Sequence, residues 1–282
     1  MTLISALLEL SESAAPFTTL TRLSALLTER PWGSFTQLLI RQFIRQYGIC
    51  MEEVLEQDLQ RYRTFNDFFT RELRPDARPI DAQAPAVCPV DGTLAQCGSV
   101  THGRLLQAKG LDYSLRELLG GSDADARPFE EHGFATIYLS PRNYHRIHMP
   151  LDAALVRTVH VPGRHFPVGR RNISHLPHLY TRNERLVCFF NSPQGRFCLV
   201  AVAAALVGGI STAWAGTLRR SRDVGTAEFE GGGLTLARGA ELGRFQYGST
   251  VICLWENPQL ACAAELQPGI AVAMGQPLLR GV

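Results

Sequence analysis

Lysine is nearly missing from this chain of 282 residues: Lys109 is the only one. Arginine supplies the other positive side chains, and the formal net charge is only +2. So small an excess does not fit nucleic-acid binding, while a surface of forked guanidiniums suits phosphates and carboxylates. The seven cysteines, Cys50, Cys88, Cys97, Cys188, Cys198, Cys253 and Cys262, are odd in number and form no Cys-x-x-Cys. That argues against a disulfide scaffold or a thiolate zinc centre and predicts buried free thiols in a reducing compartment. Gly-x-Gly-x-x-Gly, Walker and Gly-x-Ser-x-Gly motifs are also missing, which leaves no sequence support for dinucleotide, P-loop or α/β-hydrolase chemistry. The N-terminus lacks a basic flank, and Glu9 and Glu12 break its apolar run, so no signal peptide is expected.

One stretch, Phe197 to Gly216, is uncharged and long enough to cross a bilayer as a helix. Gly208-Gly209 interrupts it, and Val200, Val202, Val207, Ile210 and Thr212 favour extended backbone. Two buried strands joined through the glycine pair are expected instead.

Ser34 to Tyr47 predicts the clearest helix, with Ser34 as N-cap and Gly48 as C-cap. Phe35, Leu39, Phe43 and Tyr47 form its apolar stripe, widened by Leu38, Ile40 and Ile44, opposite Arg41 and Arg45. An earlier helix over roughly residues 19–29 carries Leu20, Leu23, Leu26 and Leu27. Such helices serve either as core or as an in-plane membrane anchor. Thr64 should cap a short helix bearing Phe65, Phe68 and Phe69. The Pro-, Asp- and Ala-rich stretch from Arg74 to Pro85 reads as a linker between residues 1–73 and a body of residues 74–282. From Val87 onward, short apolar runs alternate with Gly, Pro and Asp. The expected fold is α+β: N-terminal amphipathic helices, then a β-rich, mainly antiparallel sheet or barrel.

The chemistry-bearing candidates lie in this body. Gly248-Ser249 precedes the apolar run Val251 to Trp255. It is either a plain turn or a site where the serine hydroxyl attacks the preceding carbonyl, since glycine leaves that approach open. The attack exchanges amide for ester, and β-elimination then cuts the chain and leaves dehydroalanine, which hydrolyses to a pyruvoyl ketone. Asp91-Gly92 reads first as a hairpin turn. His145 and His148, three residues apart, share a pocket only if the segment bends; no third ligand stands at metal spacing, so no metal is expected. The loop from Pro162 to Pro177 carries Arg164, His165, Arg170, Arg171 and His175 around Phe166 and Val168. It is either solvated or a lid over an anionic, lipid-like ligand.

Several strings together carry a family resemblance: Tyr62-Arg63-Thr64-Phe65-Asn66-Asp67-Phe68-Phe69, Pro89-Val90-Asp91-Gly92, Gln107-Ala108-Lys109-Gly110, Tyr138 through Pro150, Thr181-Arg182-Asn183-Glu184-Arg185, Trp214-Ala215-Gly216-Thr217 and Gly243 through Thr250. From about Trp32 to Leu279 the chain resembles the bacterial phosphatidylserine decarboxylase proenzymes, the pyruvoyl-dependent prokaryotic type I group. Tyr247 stands where leucine is expected in that group.

The resemblance implies autocatalytic serinolysis at Gly248-Ser249, giving a β chain of residues 1–248 and an α chain of residues 249–282. Ser249 becomes the pyruvoyl cofactor, which forms a Schiff base with the amine of phosphatidylserine on the way to phosphatidylethanolamine. His148 matches the cleavage base, Asp91 its orienting carboxylate, and His145 the residue that assists decarboxylation. A histidine pKa of about 6.5 would suit proton transfer there. Tyr138 and Phe166 are expected in the substrate pocket. The expected partners are phosphatidylserine, a membrane surface bound peripherally on the cytoplasmic side of the cell membrane, the other chain of the α/β pair and a homodimer mate, but no nucleic acid. The competing readings are a serine hydrolase using Asp91, His148 and Ser249, and a non-catalytic lipid-surface module.

Overall fold

The computed structural model describes residues 27–108, 110–204, 209–218, 221–229, 234–246 and 249–282. Most of the expected helix over residues 19–29, Lys109, Gly208, and Tyr247 with Gly248 lie outside the described residues.

Helix α1 (Ser34–Tyr47) ends at Gly48, whose left-handed backbone (φ 63, ψ 46) lets its N–H close onto the Ile44 carbonyl. The N-cap is Gly33 rather than Ser34, and no side chain caps it. Thr36, Leu39, Ile40 and Phe43 are buried. They pack on α2 (Phe65–Phe69), where the Phe43 ring lies 5.2, 6.3 and 6.0 Å from those of Phe65, Phe68 and Phe69. Each such aromatic adds roughly 1.5–3 kcal/mol of burial. Thr64 caps α2 as expected, in a reciprocal box with Asp67 (3.0 and 2.9 Å). The stripe of α1 is split between two environments: Phe35 and Leu38 remain 41 and 59 % exposed, as does Trp32, just before the helix, at 48 %.

The body is β-rich. In chain order its first strands are β1 (Ala86–Val87), β2 (Gly92–Ser99), β3 (Arg104–Ala108), β4 (Leu111–Ser114), β5 (Gly133–Leu139) and β6 (Arg146–His148). Next come β7 (Ala153–Val161), β8 (Arg185–Ser192), β9 (Gly195–Ala203), β10 (Ile210–Thr212), β11 (Gly216–Thr217) and β12 (Gly225–Glu228). The last are β13 (Leu234–Leu236), β14 (Glu241–Phe245), β15 (Ser249–Trp255), β16 (Leu260–Cys262), β17 (Ala271–Val272) and β18 (Pro277–Gly281). Their ladders are antiparallel, so the fold is α+β as expected. A nine-stranded sheet runs β12-β7-β8-β9-β15-β5-β2-β17, with β13 also on β7. Smaller sheets run β11-β10-β14-β6, β1-β18-β16 and β3-β4.

The uncharged run splits as expected into β9 and β10, but the two strands join different sheets. Among the described residues no helix is long and apolar enough to cross a membrane. The stretch from Arg74 to Pro85, read as a linker, is tied to the body: Arg238 donates to the carbonyls of Asp81 and Pro85, and Arg78 reaches Asp91.

Candidate active site

Ser249 opens β15 between two neighbours, opposite Leu139 of β5 and Ala203 of β9. Every residue of β15 is buried, because an apolar strand flanked on both edges hydrogen-bonds its backbone fully and leaves no room for water. The Ser249 side chain is 0 % exposed, and its Oγ has no hydrogen-bond partner among the described residues. A buried, unpaired hydroxyl costs about 1–3 kcal/mol, which marks a position worth explaining by function.

The chain reaches Ser249 from the smaller sheet. β14, in the smaller sheet, ends at Phe245. Gln246 Nε2 lies 3.5 Å from Ser211 Oγ and 3.4 Å from Thr217 Oγ1, and these two hydroxyls are 2.8 Å apart. Thr217, from the Trp214-Ala215-Gly216-Thr217 string, and Ser211 therefore hold Gln246 just past the end of β14. Glycine is required at 243 because a Cβ there would stand 2.3 Å from the Ser211 carbonyl oxygen.

The two histidines have different surroundings. From Leu139 the chain turns through residues 140–143, where Asn143 Oδ1 accepts from the Ser140 N–H and hydroxyl (2.9 and 2.6 Å). His145 follows, and its carbonyl accepts from the Phe245 N–H (3.0 Å), so it lies alongside the end of β14. Its Nδ1 donates to the Asn143 carbonyl (2.8 Å), and its ring stacks on Phe69 at 4.0 Å. Its Nε2 is buried without a partner among the described residues. Burial first, and then the Arg71 guanidinium, push the imidazole down to about 3. The expected value near 6.5 is thus corrected: a fully enclosed ring cannot hold a proton as water-exposed histidine does.

His148 donates from Nδ1 to the Gly239 carbonyl (2.7 Å) and accepts at Nε2 from the Tyr144 hydroxyl (3.0 Å). Burial also lowers its pKa. Asp91 stands at the head of β2 and does not form a hairpin turn. Gly92 is needed there because a Cβ would meet the Tyr138 carbonyl oxygen at 2.5 Å. The Asp91 carboxylate accepts two bonds from Arg78 Nε (2.9 and 3.1 Å), one from Nη2 (2.7 Å) and one from the Met274 N–H (2.8 Å). The Nδ1 that an orienting carboxylate would hold is instead on the Gly239 carbonyl.

The Thr181 to Arg185 string is a set of anchors. Asn183 binds Phe166 through the Phe166 N–H and carbonyl and donates to the Ala203 carbonyl, each at 2.9 Å. Phe166 thus sits over the strand end that flanks Ser249, with Arg182 4.4 Å from its ring. Glu184 joins His160 (2.8 Å) and His165 (2.7 Å). Burial pushes its carboxyl up, but the two histidines outweigh that and bring it down to about 2. Gln107 donates to the carbonyls of Ile173 and Leu176 and accepts from the Leu179 N–H (2.8, 2.7 and 2.9 Å). The Pro162 to Pro177 loop is therefore strapped down rather than free. Tyr138 lies in β5 opposite Thr250.

Phe69, Tyr144, Arg78 and Gln246 were not among the expected site residues. Their only sequence signal was membership in strings already quoted or in the supposed linker.

A family model described as phosphatidylserine decarboxylase matches residues 65–280, and a second, described as PSD, matches residues 13–48. The chain is 46 % identical over 252 residues to the phosphatidylserine decarboxylase proenzyme of Methylibium petroleiphilum, covering 88 % of each chain. The chain belongs to the phosphatidylserine decarboxylase family. The same name is carried by a relative from Bordetella petrii (47 % over 250 residues, 87 % of each chain) and one from Pseudomonas putida (43 % over 279 residues, 97 % of each chain). As a member of the phosphatidylserine decarboxylase family, the chain is an enzyme of the carboxy-lyase class.

Proposed function

We propose that this decarboxylase cuts its own chain between Gly248 and Ser249 and then converts phosphatidylserine to phosphatidylethanolamine. The observation that carries this reading is the Ser249 hydroxyl, buried at the head of a central strand and unpartnered among the described residues. None of those residues holds it in a hydrogen bond that would have to break before it attacks. Oγ adds to the Gly248 carbonyl carbon and its proton passes to a base. The C–N bond breaks, giving an ester and a free Ser249 amine. Removal of the Ser249 Cα proton then expels Gly248 as a carboxylate. Water hydrolyses the remaining enamine, releasing ammonia and leaving a pyruvoyl group on residues 249–282.

His148 serves as the base in this reading. With Nδ1–H fixed on Gly239, its Nε2 keeps the lone pair and holds it toward the Tyr144 hydroxyl. Asp91 acts through Arg78 and the Met274 N–H, bracing the Pro89 carbonyl to which the His148 N–H donates (2.8 Å). The buried Ser249 position fits the pyruvoyl group, which supplies an electrophilic carbonyl as an electron sink for the departing CO2. His145 presents a free Nε2 that can hold or return the proton at the substrate α-carbon. Phe69 and the enclosing core keep water from that nitrogen. Tyr138 and Phe166 flank the same strand ends and line the pocket.

The substrate resides in a membrane, and the exposed Trp32, Phe35 and Leu38 offer an apolar edge for its surface. The processed enzyme is then a two-chain protein held peripherally at the cytoplasmic face of the membrane. One observation favours a second assignment, in which His145 takes the Ser249 proton: its Nε2 is unpartnered among the described residues, whereas that of His148 is engaged. The experiment for both is a reducing SDS gel with intact mass spectrometry. Wild type should give fragments 1–248 and 249–282, the latter carrying pyruvoyl. His148→Ala should stay whole while His145→Ala is cut. The opposite pattern selects the second assignment, and an uncut wild type overturns the proposal.

A further inference from the structure

Away from Ser249, a cavity of about 490 Å³ opens between β2, β5 and β16. Cys97, Gly98, Gly133, Trp255, Cys262 and Leu266 line it. Two thiols meet at its wall. Cys97 pairs with Ala135 across the β2–β5 ladder, and its Sγ lies 3.7 Å from the Leu266 carbonyl oxygen. Cys262 reaches the neighbouring position on the same strand, its Sγ 4.0 Å from the Phe134 carbonyl oxygen. The two thiols thus face one cavity wall from adjacent positions along β5, and the neighbouring Cys262 thiol, outweighing burial, brings Cys97 down to about 7. Both are partly exposed, whereas Cys88, Cys188, Cys198 and Cys253 are buried and held as thiols by that burial.

We propose that Cys97 and Cys262 are a peroxide-sensitive thiol pair whose oxidation joins the two processed fragments covalently. The cross-fragment consequence rests on the cut at Gly248–Ser249, which puts Cys97 in residues 1–248 and Cys262 in residues 249–282. The Cys97 thiolate attacks one oxygen of hydrogen peroxide, breaks the O–O bond and becomes a sulfenic acid. Cys262 sulfur then attacks that sulfur, and water leaves. Two thiols lose two electrons and two protons, and the peroxide is reduced to two molecules of water. No glutathione-sized oxidant need enter, because the cavity gives a small peroxide direct access.

The test uses the full chain carrying Cys50→Ser, since Cys50 is the exposed thiol that could link separate molecules. After hydrogen peroxide, a non-reducing gel should show one band in place of two fragments, and dithiothreitol should separate them again. The intact mass should fall by two hydrogens, and digestion should yield one Cys97–Cys262 peptide. The unfolding midpoint, concentration-dependent for two separate chains, should become independent of concentration. Cys97→Ser and Cys262→Ser should each abolish the shift while leaving the reduced fragment pattern unchanged. Two bands after oxidation, or a cross-link through another cysteine, overturns the proposal. If the reduced protein is a single chain, the cleavage reading fails, and the mass change and linked peptide alone decide whether the thiol pair exists.

Discussion

Two sets of buried polar side chains, one around Glu184 and the other comprising His145 and Ser249, are built in opposite ways. His160 and His165 share Glu184, both carboxylate oxygens are occupied, and the three side chains are only 10–12 % exposed. His145 and Ser249 are buried still more deeply, yet the Nε2 of one and the Oγ of the other have no partner among the described residues. The first cluster makes charge-assisted bonds of about 1.5–3 kcal/mol each. The second leaves polar atoms unpaired at a similar cost in the opposite direction. Other buried side-chain atoms, among them Tyr113 Oη, Thr136 Oγ1, Tyr180 Oη and Thr250 Oγ1, also lack a partner among the described residues; Ser249 and His145 differ from these in carrying groups able to attack a carbonyl or move a proton. The saturated cluster steadies the loop that carries Phe166; the unsaturated one keeps its reagents uncommitted.

Filling or emptying each cluster tests the contrast. The largest effect is expected from Ser249→Ala, which should leave one full-length band on a reducing gel and no release of CO2 from phosphatidylserine. His145→Ala should follow, with cleavage retained and turnover reduced by about 10²–10⁴-fold, the range for loss of an acid–base group; single-turnover assays of the cleaved protein measure it. Glu184→Gln should leave the fragments intact but lower the urea-unfolding free energy by about 1–2 kcal/mol.

The pH dependence should separate the same two proteins. Glu184 is held at about 2 in the folded protein against an ordinary 4.5, so the unfolded chain binds its proton first on acidification. Its contribution is complete above pH 4.5 and disappears as pH falls toward 2. Urea midpoints across that window should drop less steeply in Glu184→Gln. The smallest effect should come from Leu38→Ser, which should weaken binding to phosphatidylserine vesicles by about three- to tenfold, measured by co-sedimentation, with processing unchanged.

Local features of the sequence were legible where the physics is local. The Thr64 box depends on residues three apart, and the β15 strand on one continuous apolar run. The split of the uncharged segment followed from its central glycines. Asp91-Gly92 was misleading because the demand for glycine comes from the Tyr138 carbonyl on another strand, not from turn geometry. The supposed linker hid Arg78 because nothing nearby in sequence points to Asp91. Only α2 packing shows that Phe69 covers His145, and that enclosure, with the Arg71 guanidinium, is what lowers the ring's pKa. The spacing of the two histidines indicated a bend but not the partners each nitrogen would find.

The position of Ser249 at the head of an interior strand has a consequence for how such a molecule comes of age. Its hydroxyl is sequestered only once β5 and β9 have closed on either side, so a nascent or misfolded copy would lack the enclosure that the proposed self-scission calls for. Under the proposed scission, maturation would double as an inspection: a polypeptide would gain its reactive carbonyl only by first completing its architecture. The tail from residue 249 would then stay in place, because leaving would mean unzipping the middle of the largest sheet along both of its margins.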